Sequence, residues 1–236
     1  MKAQDLKNSI LQMAMEGKLV PQDPNDEPAS VLLERIKEEK EQLIKEKKIK
    51  RNKNESVIFR KNNHFYEKVG KKGEEVCIDE EIPFDVPDNW ELMRLGSITS
   101  LINEKITEGP SYPYLQAKYL RGTAEAVIKD KGRFVKKDTK VILVDGENSG
   151  EVFIIPEDGY MGSTFRILFI PKTVYEPYIL KFIELYKEPL RKSKKGAAIP
   201  HLNKEIFNNL LIGIPPLDEQ KRIINQLNNI YYKYHQ

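Results

Sequence analysis

Ile223, Leu227, Ile230 and Tyr234 are spaced 4, 3 and 4 residues apart near the end of the chain. That spacing is a heptad seam, a stripe too narrow to form one wall of a globular core and suited to burial against another helix. The chain stops while the seam is still running. The other end has a similar feature. Leu6, Ile10 and Met13, joined by Leu11 and Ala14, make a one-sided helix over residues 4–16, with Gly17 placed to end it as a C′ residue. A connector with three prolines, VPQDPNDEP, follows, and Pro28 can open a second helix over 29–51. That helix, about 33 Å long, carries Leu32, Leu33, Ile36, Leu43 and Ile44 on one side and Glu/Lys elsewhere. Short one-faced helices are marginal alone in water. The first and last must therefore pair with each other, with a second copy, or with another subunit.

Between the helical ends the pattern changes. Residues 52–81 are polar and basic around His64-Phe65-Tyr66, then acidic, and read as a partly ordered linker. Ile82-Pro83-Phe84-Asp85-Val86-Pro87 is extended, because proline biases its neighbours away from helix. From Trp90 the chain reads as short β runs at 92–98, 114–117, 124–128, 140–144, 152–155 and 165–170, separated by Gly, Pro, Asn and Asp. A helix over 177–187 points Ile179, Phe182, Ile183 and Tyr186 inward. A basic loop at 192–198, a short helix capped by Asn203, a strand at 210–214 and a last helix N-capped by Asp218 complete the chain. The expected fold class is mixed α/β (α+β). A β-rich domain over 82–214 is flanked by helices at 1–51 and 215–236 that form a coiled-coil spacer.

Composition narrows the function classes. Of 236 residues, 39% are hydrophobic and 32% charged, enough for a core under a highly charged surface. The net charge of +3 averages over blocks: residues 44–72 carry 11 basic and 3 acidic groups, 74–91 carry 8 acidic and none basic, and 118–140 carry 8 basic against 3 acidic. Segregated positive charge suits a polyanion, although solvated helices and loops show it too. A single cysteine, Cys77, argues against a disulfide framework and a cysteine-based zinc site, and His64, His201 and His235 have no metal-ligand spacing. The N-terminal stretch has charges inside its apolar run, unlike a signal peptide, and no run of about 18 apolar residues exists. The expectation is a soluble cytoplasmic protein with no membrane contact. Catalytic signatures are missing: there is no phosphate-binding GxxxxGK[ST], no GxSxG and no Asn/Asp-Pro-Pro-aromatic run. Asp145 with Glu147 could bind a metal, but Asp-Gly reads as a turn.

Several stretches together resemble one family, the specificity (S) subunits of type I restriction–modification systems. Residues 6–51 are similar to the helical region between two target-recognition domains of such subunits. Pro87-Asp88-Asn89-Trp90-Glu91 with Leu95-Gly96 resembles the start of a recognition domain. Residues 196–224, with Pro-Pro-Leu-Asp-Glu-Gln-Lys-Arg-Ile at 215–223, resemble its end. The resemblance implies a non-catalytic subunit that confers DNA specificity on partner methyltransferase (M) and restriction (R) subunits. S-adenosylmethionine and ATP with Mg would bind only in those partners, and no cofactor or metal binds here. The chain resembles a half subunit with one recognition domain, so two copies would form a homodimer reading a bipartite target in double-stranded DNA. A self-contained enzyme fragment, and a truncated helical protein that binds methyltransferase subunits without reading DNA, are the rivals.

On this reading, basic and polar side chains in loops of the β-rich domain meet DNA. The candidates are Lys118, Tyr119, Arg121, Arg133, Asn148, Ser149, Lys192, Lys194, Lys195 and His201. The dimer and partner interface is expected at Leu6, Ile10, Met13, Leu32, Ile36, Leu43, Ile223, Leu227, Ile230 and Tyr234. Tyr112, Tyr114 and Trp90 read as core.

Overall fold

The computed structural model describes residues 3–51, 55–70, 73–192 and 201–234. In chain order the elements are α1 (Ala3–Met15), α2 (Ala29–Lys45), β1 (Ser56–Lys61), β2 (His64–Val69), β3 (Glu75–Cys77), β4 (Glu91–Arg94), the helical turn α3 (Leu95–Ile98), β5 (Ser100–Ile102), β6 (Ile106–Leu115), the helical turn α4 (Ala117–Leu120), β7 (Val127–Val135), β8 (Lys140–Leu143), β9 (Val152–Ile154), β10 (Gly159–Met161), β11 (Phe165–Phe169), α5 (Glu176–Lys192), α6 (Lys204–Asn209), β12 (Leu211–Ile214) and α7 (Leu217–Tyr234). The fold is mixed α and β with mostly antiparallel sheets. It divides into two compact units: one from 1–98, 170–185 and 208–236, the other from 99–169 and 186–207.

The first unit is closed by a ladder between distant segments. β4 pairs antiparallel with β12, Glu91 opposite Ile214 and Arg94 opposite Leu211. Trp90, beside this ladder, is 2% exposed, and its indole Nε1 donates to Glu219 Oε1 at 2.9 Å, while Asn89 Nδ2 donates to the other oxygen at 3.0 Å. Gln220 donates to the Pro215 carbonyl at 2.9 Å and accepts from the Tyr175 amide at 3.2 Å. Glycine is required at two contacts with this tryptophan. A Cβ on Gly213 would lie 2.6 Å from its ring, and Gly17, at φ +73°, would put a Cβ 2.7 Å from Pro87 and 3.2 Å from Trp90. Gly17 also ends α1 as expected, with the Lys18 amide bonded to the Met13 carbonyl at 2.9 Å.

Residues 56–77, read from sequence as part of a linker, form the three-stranded antiparallel sheet β1-β2-β3. Asn62 and Asn63, at φ +52° and +65°, make the two-residue turn that joins β1 to β2. The sheet buries Ile58 with Ile78, Leu92 and Leu211, which a solvated linker would not do.

α2 is shorter than its periodicity implied, and α5, expected over 177–187, is longer, at Glu176–Lys192. α2 ends at Lys45, not Arg51, where Lys47 turns left-handed at φ +58° and the Lys48 amide folds back to the Leu43 carbonyl. Its 17 residues span about 26 Å. Ala29, Leu32, Leu33 and Ile36 are buried within the chain, and so is Lys40, whose Nζ bonds Glu55 at 2.8 Å and the Ser97 carbonyl at 2.9 Å. α1 packs against α7, and Ile223 and Leu227 are both 0% exposed. Of the pairings open to the terminal helices, the chain uses the one between its own first and last helix: Ile223 and Leu227 of the seam are closed inside the chain, while Ile230 is half-buried. α7 begins at Leu217, one residue before Asp218, and that carboxylate is bound by Lys221 at 2.7 Å in place of the expected N-cap contact. Arg222 forks onto Asp26 at 2.9 and 2.6 Å, fastening α7 to the connector after α1.

The second unit holds a four-stranded sheet, β5-β11-β8-β9, and a ring in which β6, β7 and β10 close on one another. Its core is Leu115, Val135, Val141, Leu143, Ile155, Met161 and Phe165. Inside the ring Tyr112, Phe134 and Tyr160 meet with centroids 5.2–6.3 Å apart. The strand expected at 114–117 is the end of the ten-residue β6, because Ala117–Leu120 turn helical.

Candidate nucleic-acid interface

The second unit contains most of the loops expected to meet DNA, and it treats the candidates unequally. Lys118, on α4, is exposed, with no carboxylate within ion-pair range among the described residues. The neighbouring side chains are occupied. The Tyr119 hydroxyl donates to Glu157, a bond that raises its pKa above the ordinary phenol value, while its ring packs on the core of the unit. Arg121 bonds Glu151 through Nε and a terminal nitrogen and lies 5.6 Å from the Phe153 ring centroid. Glu151 thus holds the guanidinium firmly protonated and neutralises its charge.

Arg133, in β7, is half-buried, and its Nε has no partner among the described residues. Asn148 is half-buried in the turn after β8. Ser149 beside it is 0% exposed. It presents no surface to a polyanion, and its assignment as a DNA contact is corrected: the turn 146–150 folds back onto β8 through the Gly150 amide and the Leu143 carbonyl at 2.7 Å, which carries the hydroxyl inward. His201 stands at the surface, its Nδ1 2.7 Å from Asp145 Oδ1, in an isolated antiparallel bridge with that residue. Lys192 is the last residue of α5, and Lys194 and Lys195 lie outside the described residues.

Sequence reasoning passed over the ribbon β6·β7. Lys129 lies 3.5 Å from the centroid of the Tyr114 ring, Lys131 pairs with Glu108, and Val127, Ile128 and Ile106 are 63, 61 and 59% exposed. Exposed apolar side chains beside lysines on a two-stranded ribbon suit a surface that meets both phosphates and base edges. The Val127-Ile128-Lys129 run was the available signal.

Of the expected interface residues, Leu32, Ile36, Ile223 and Leu227 belong to the chain's own core and are corrected on that ground. Leu6, Ile10, Leu43 and Ile230 are half-buried, and Met13 is 42% exposed. Tyr234 is the last residue of α7.

A different constellation lies in the first unit. Although the histidines and the cysteine are scattered in sequence, the donor atoms of His64, Cys77 and Asp79 fall within 4.8 Å of one another.

The second unit carries cations on its loops and on the β6·β7 ribbon, the kind of side chain that meets a polyanion. The sequence profile of the type I restriction modification DNA specificity domain matches residues 87–235, from the proline before Trp90 into α7, and the chain belongs to this family. It is 45% identical, over 96% of its length, to the specificity subunit of the Escherichia coli type I restriction enzyme EcoEI, and 28% identical, over 95%, to that of the Escherichia coli enzyme EcoAI. It spans 39% of the length of each of these relatives. Among solved structures, the HsdS subunit of Thermoanaerobacter tengcongensis is 16% identical, with a TM-score of 0.48 over 98% of this chain and 48% of that one. No helix among the described residues is long and apolar enough to cross a membrane.

Proposed function

We propose that this chain is a non-catalytic DNA-reading element of a type I restriction–modification system, directing methyltransferase and nuclease subunits to a specific target in the cytoplasm. The observation that carries the reading is the family match over 87–235, which takes in both partners of the Trp90–Glu219 bond and the whole second unit. The recognition domain corresponds to residues 82–214 and the flanking helices to a coiled-coil spacer that also docks methyltransferase subunits. S-adenosylmethionine, and ATP with Mg, would serve the partner subunits. Two copies would supply the two halves of a bipartite target, meeting through the apolar residues that α1 and α7 leave accessible, Leu6, Ile10, Met13 and Ile230. A helical interaction protein that does not read DNA is not favoured, because the profile covers the β-rich region and not α1 and α2.

Co-expression with methyltransferase subunits, followed by methylation-sensitive sequencing of host DNA, tests this. A two-fold pair of identical readers requires an interrupted palindrome. An asymmetric motif would replace the homodimer with a pairing to a different half, and no new motif from a soluble complex would overturn the assignment.

A further inference from the structure

We propose that His64, Cys77 and Asp79 form a binding site for a thiophilic divalent cation of the Zn²⁺ class. The sheet register builds it. Cys77, the last residue of β3, pairs with Tyr66 of β2, so its side chain shares a face with Tyr66 and with His64 two residues earlier. Asp79 opens the 3-10 turn that follows β3. Its Oδ1 accepts the Phe65 backbone N–H at 2.7 Å, which leaves Oδ2 facing His64 Nδ1 at 2.5 Å. The Cys77 Sγ lies within 4.8 Å of the other two donor atoms. The three groups therefore already converge on one point, with the carboxylate oriented from behind by backbone.

Their chemistry selects the ion. One imidazole nitrogen, one thiolate and one carboxylate are ligands for Zn²⁺ and its neighbours, whereas Mg²⁺ and Ca²⁺ take oxygen alone. Bonds of about 2.0–2.3 Å in a tetrahedron put donor atoms roughly 3.3–3.8 Å apart, so the widest separation, now within 4.8 Å, closes by about 1 Å, while His64 Nδ1 and Asp79 Oδ2, now 2.5 Å apart, open by about 1 Å to admit the ion. His64 and Cys77 are exposed and Asp79 is half-buried, so the movement falls on the first two. The thiol proton leaves to solvent. Zn²⁺, thiolate, carboxylate and neutral imidazole then sum to zero charge, and three protein ligands leave the fourth position to water. The ion would clasp β3, which has three residues, all exposed, to the start of β2 and the turn beyond it.

The test uses the full chain. Zn²⁺ is titrated in competition with a chromogenic chelator, and Co²⁺ is substituted to reveal thiolate coordination by its ligand-to-metal charge-transfer band. One ion per chain is expected, weakened at least tenfold in Cys77→Ser, His64→Gln and Asp79→Asn. The Co²⁺ band should be absent in Cys77→Ser, and Zn²⁺ should raise the melting temperature of the wild type alone. Since Asp79 also supports the backbone at Phe65, circular dichroism checks each variant, and His64→Gln decides if Asp79→Asn is misfolded. Failure of the folded wild type to take up one ion would overturn the proposal. So would uptake that survives Cys77→Ser, or that depends on the thiol and ignores His64. None of these outcomes bears on DNA reading.

Discussion

The two units use their charged side chains in opposite ways. In the first, buried or half-buried polar groups tie together segments far apart in sequence. Glu219 meets Trp90 across 129 positions, Arg222 meets Asp26 across 196, and Lys40 reaches the Ser97 carbonyl across 57. In the second, cations stand at the surface, paired with a carboxylate as Lys131 is with Glu108, or, as at Lys118, with none among the described residues. The Asp-Asn-Trp and Pro-Pro-Leu-x-Glu-Gln runs that make the chain recognisable are parts of the frame. Trp90, Glu219 and Gln220 in these runs are fixed by burial and hydrogen bonding, whereas Lys118, on the proposed reading surface, is exposed.

The largest expected effect lies in the frame. Trp90→Ala should cost about 3–5 kcal/mol in urea unfolding, against less than about 0.5 kcal/mol for Lys118→Ala. A loss under about 1 kcal/mol at Trp90 would erase the contrast between the units.

A second test sharpens it through pH. Burial raises the Glu219 carboxyl above its ordinary value of 4.5, outweighing the bonds from Trp90 and Asn89. A raised carboxyl holds its proton more tightly in the folded state. Its contribution to stability is therefore fully present below the unfolded value and is lost as pH rises through the folded one. Glu219→Gln should remove that part of the slope just above pH 4.5. An unchanged pH–stability curve would mean that the carboxylate stays charged in place.

The smallest effects fall on the reading surface. Lys118→Ala should lower the slope of log affinity against log salt by about 1, as one phosphate contact would. Arg121→Ala should lower it less, and Glu151→Gln should raise affinity by freeing the guanidinium. Equal slopes for the two alanine variants would show that DNA displaces Glu151 from Arg121.

Much of the frame was legible because it rests on local rules. Gly17 ends α1, and in the second unit Asn203 likewise caps α6 by accepting the Glu205 and Ile206 amides at 3.1 Å each. The strand at 211–214 and the last helix follow from periodicity over a few residues. The hairpin at 56–69 was also within reach, since Asn62-Asn63 sits between two runs with β-branched and aromatic residues, Val57-Ile58-Phe59 and Phe65-Tyr66, but its basic charge masked it.

What the sequence alone determined about this protein is the place and order of its long helices and of several strands and, through runs of residues with a recognisable order, its family. Only the tertiary structure decided which side chains remain available. Ser149 points inward, Arg121 is neutralised by a carboxylate 30 positions away, Leu227 is buried in its own chain, and His64 meets Cys77 and Asp79. The physical reason is range. A helix or turn is set by neighbours within about four residues, whereas burial, charge pairing and ligand convergence depend on contacts between distant segments, which no local spacing encodes.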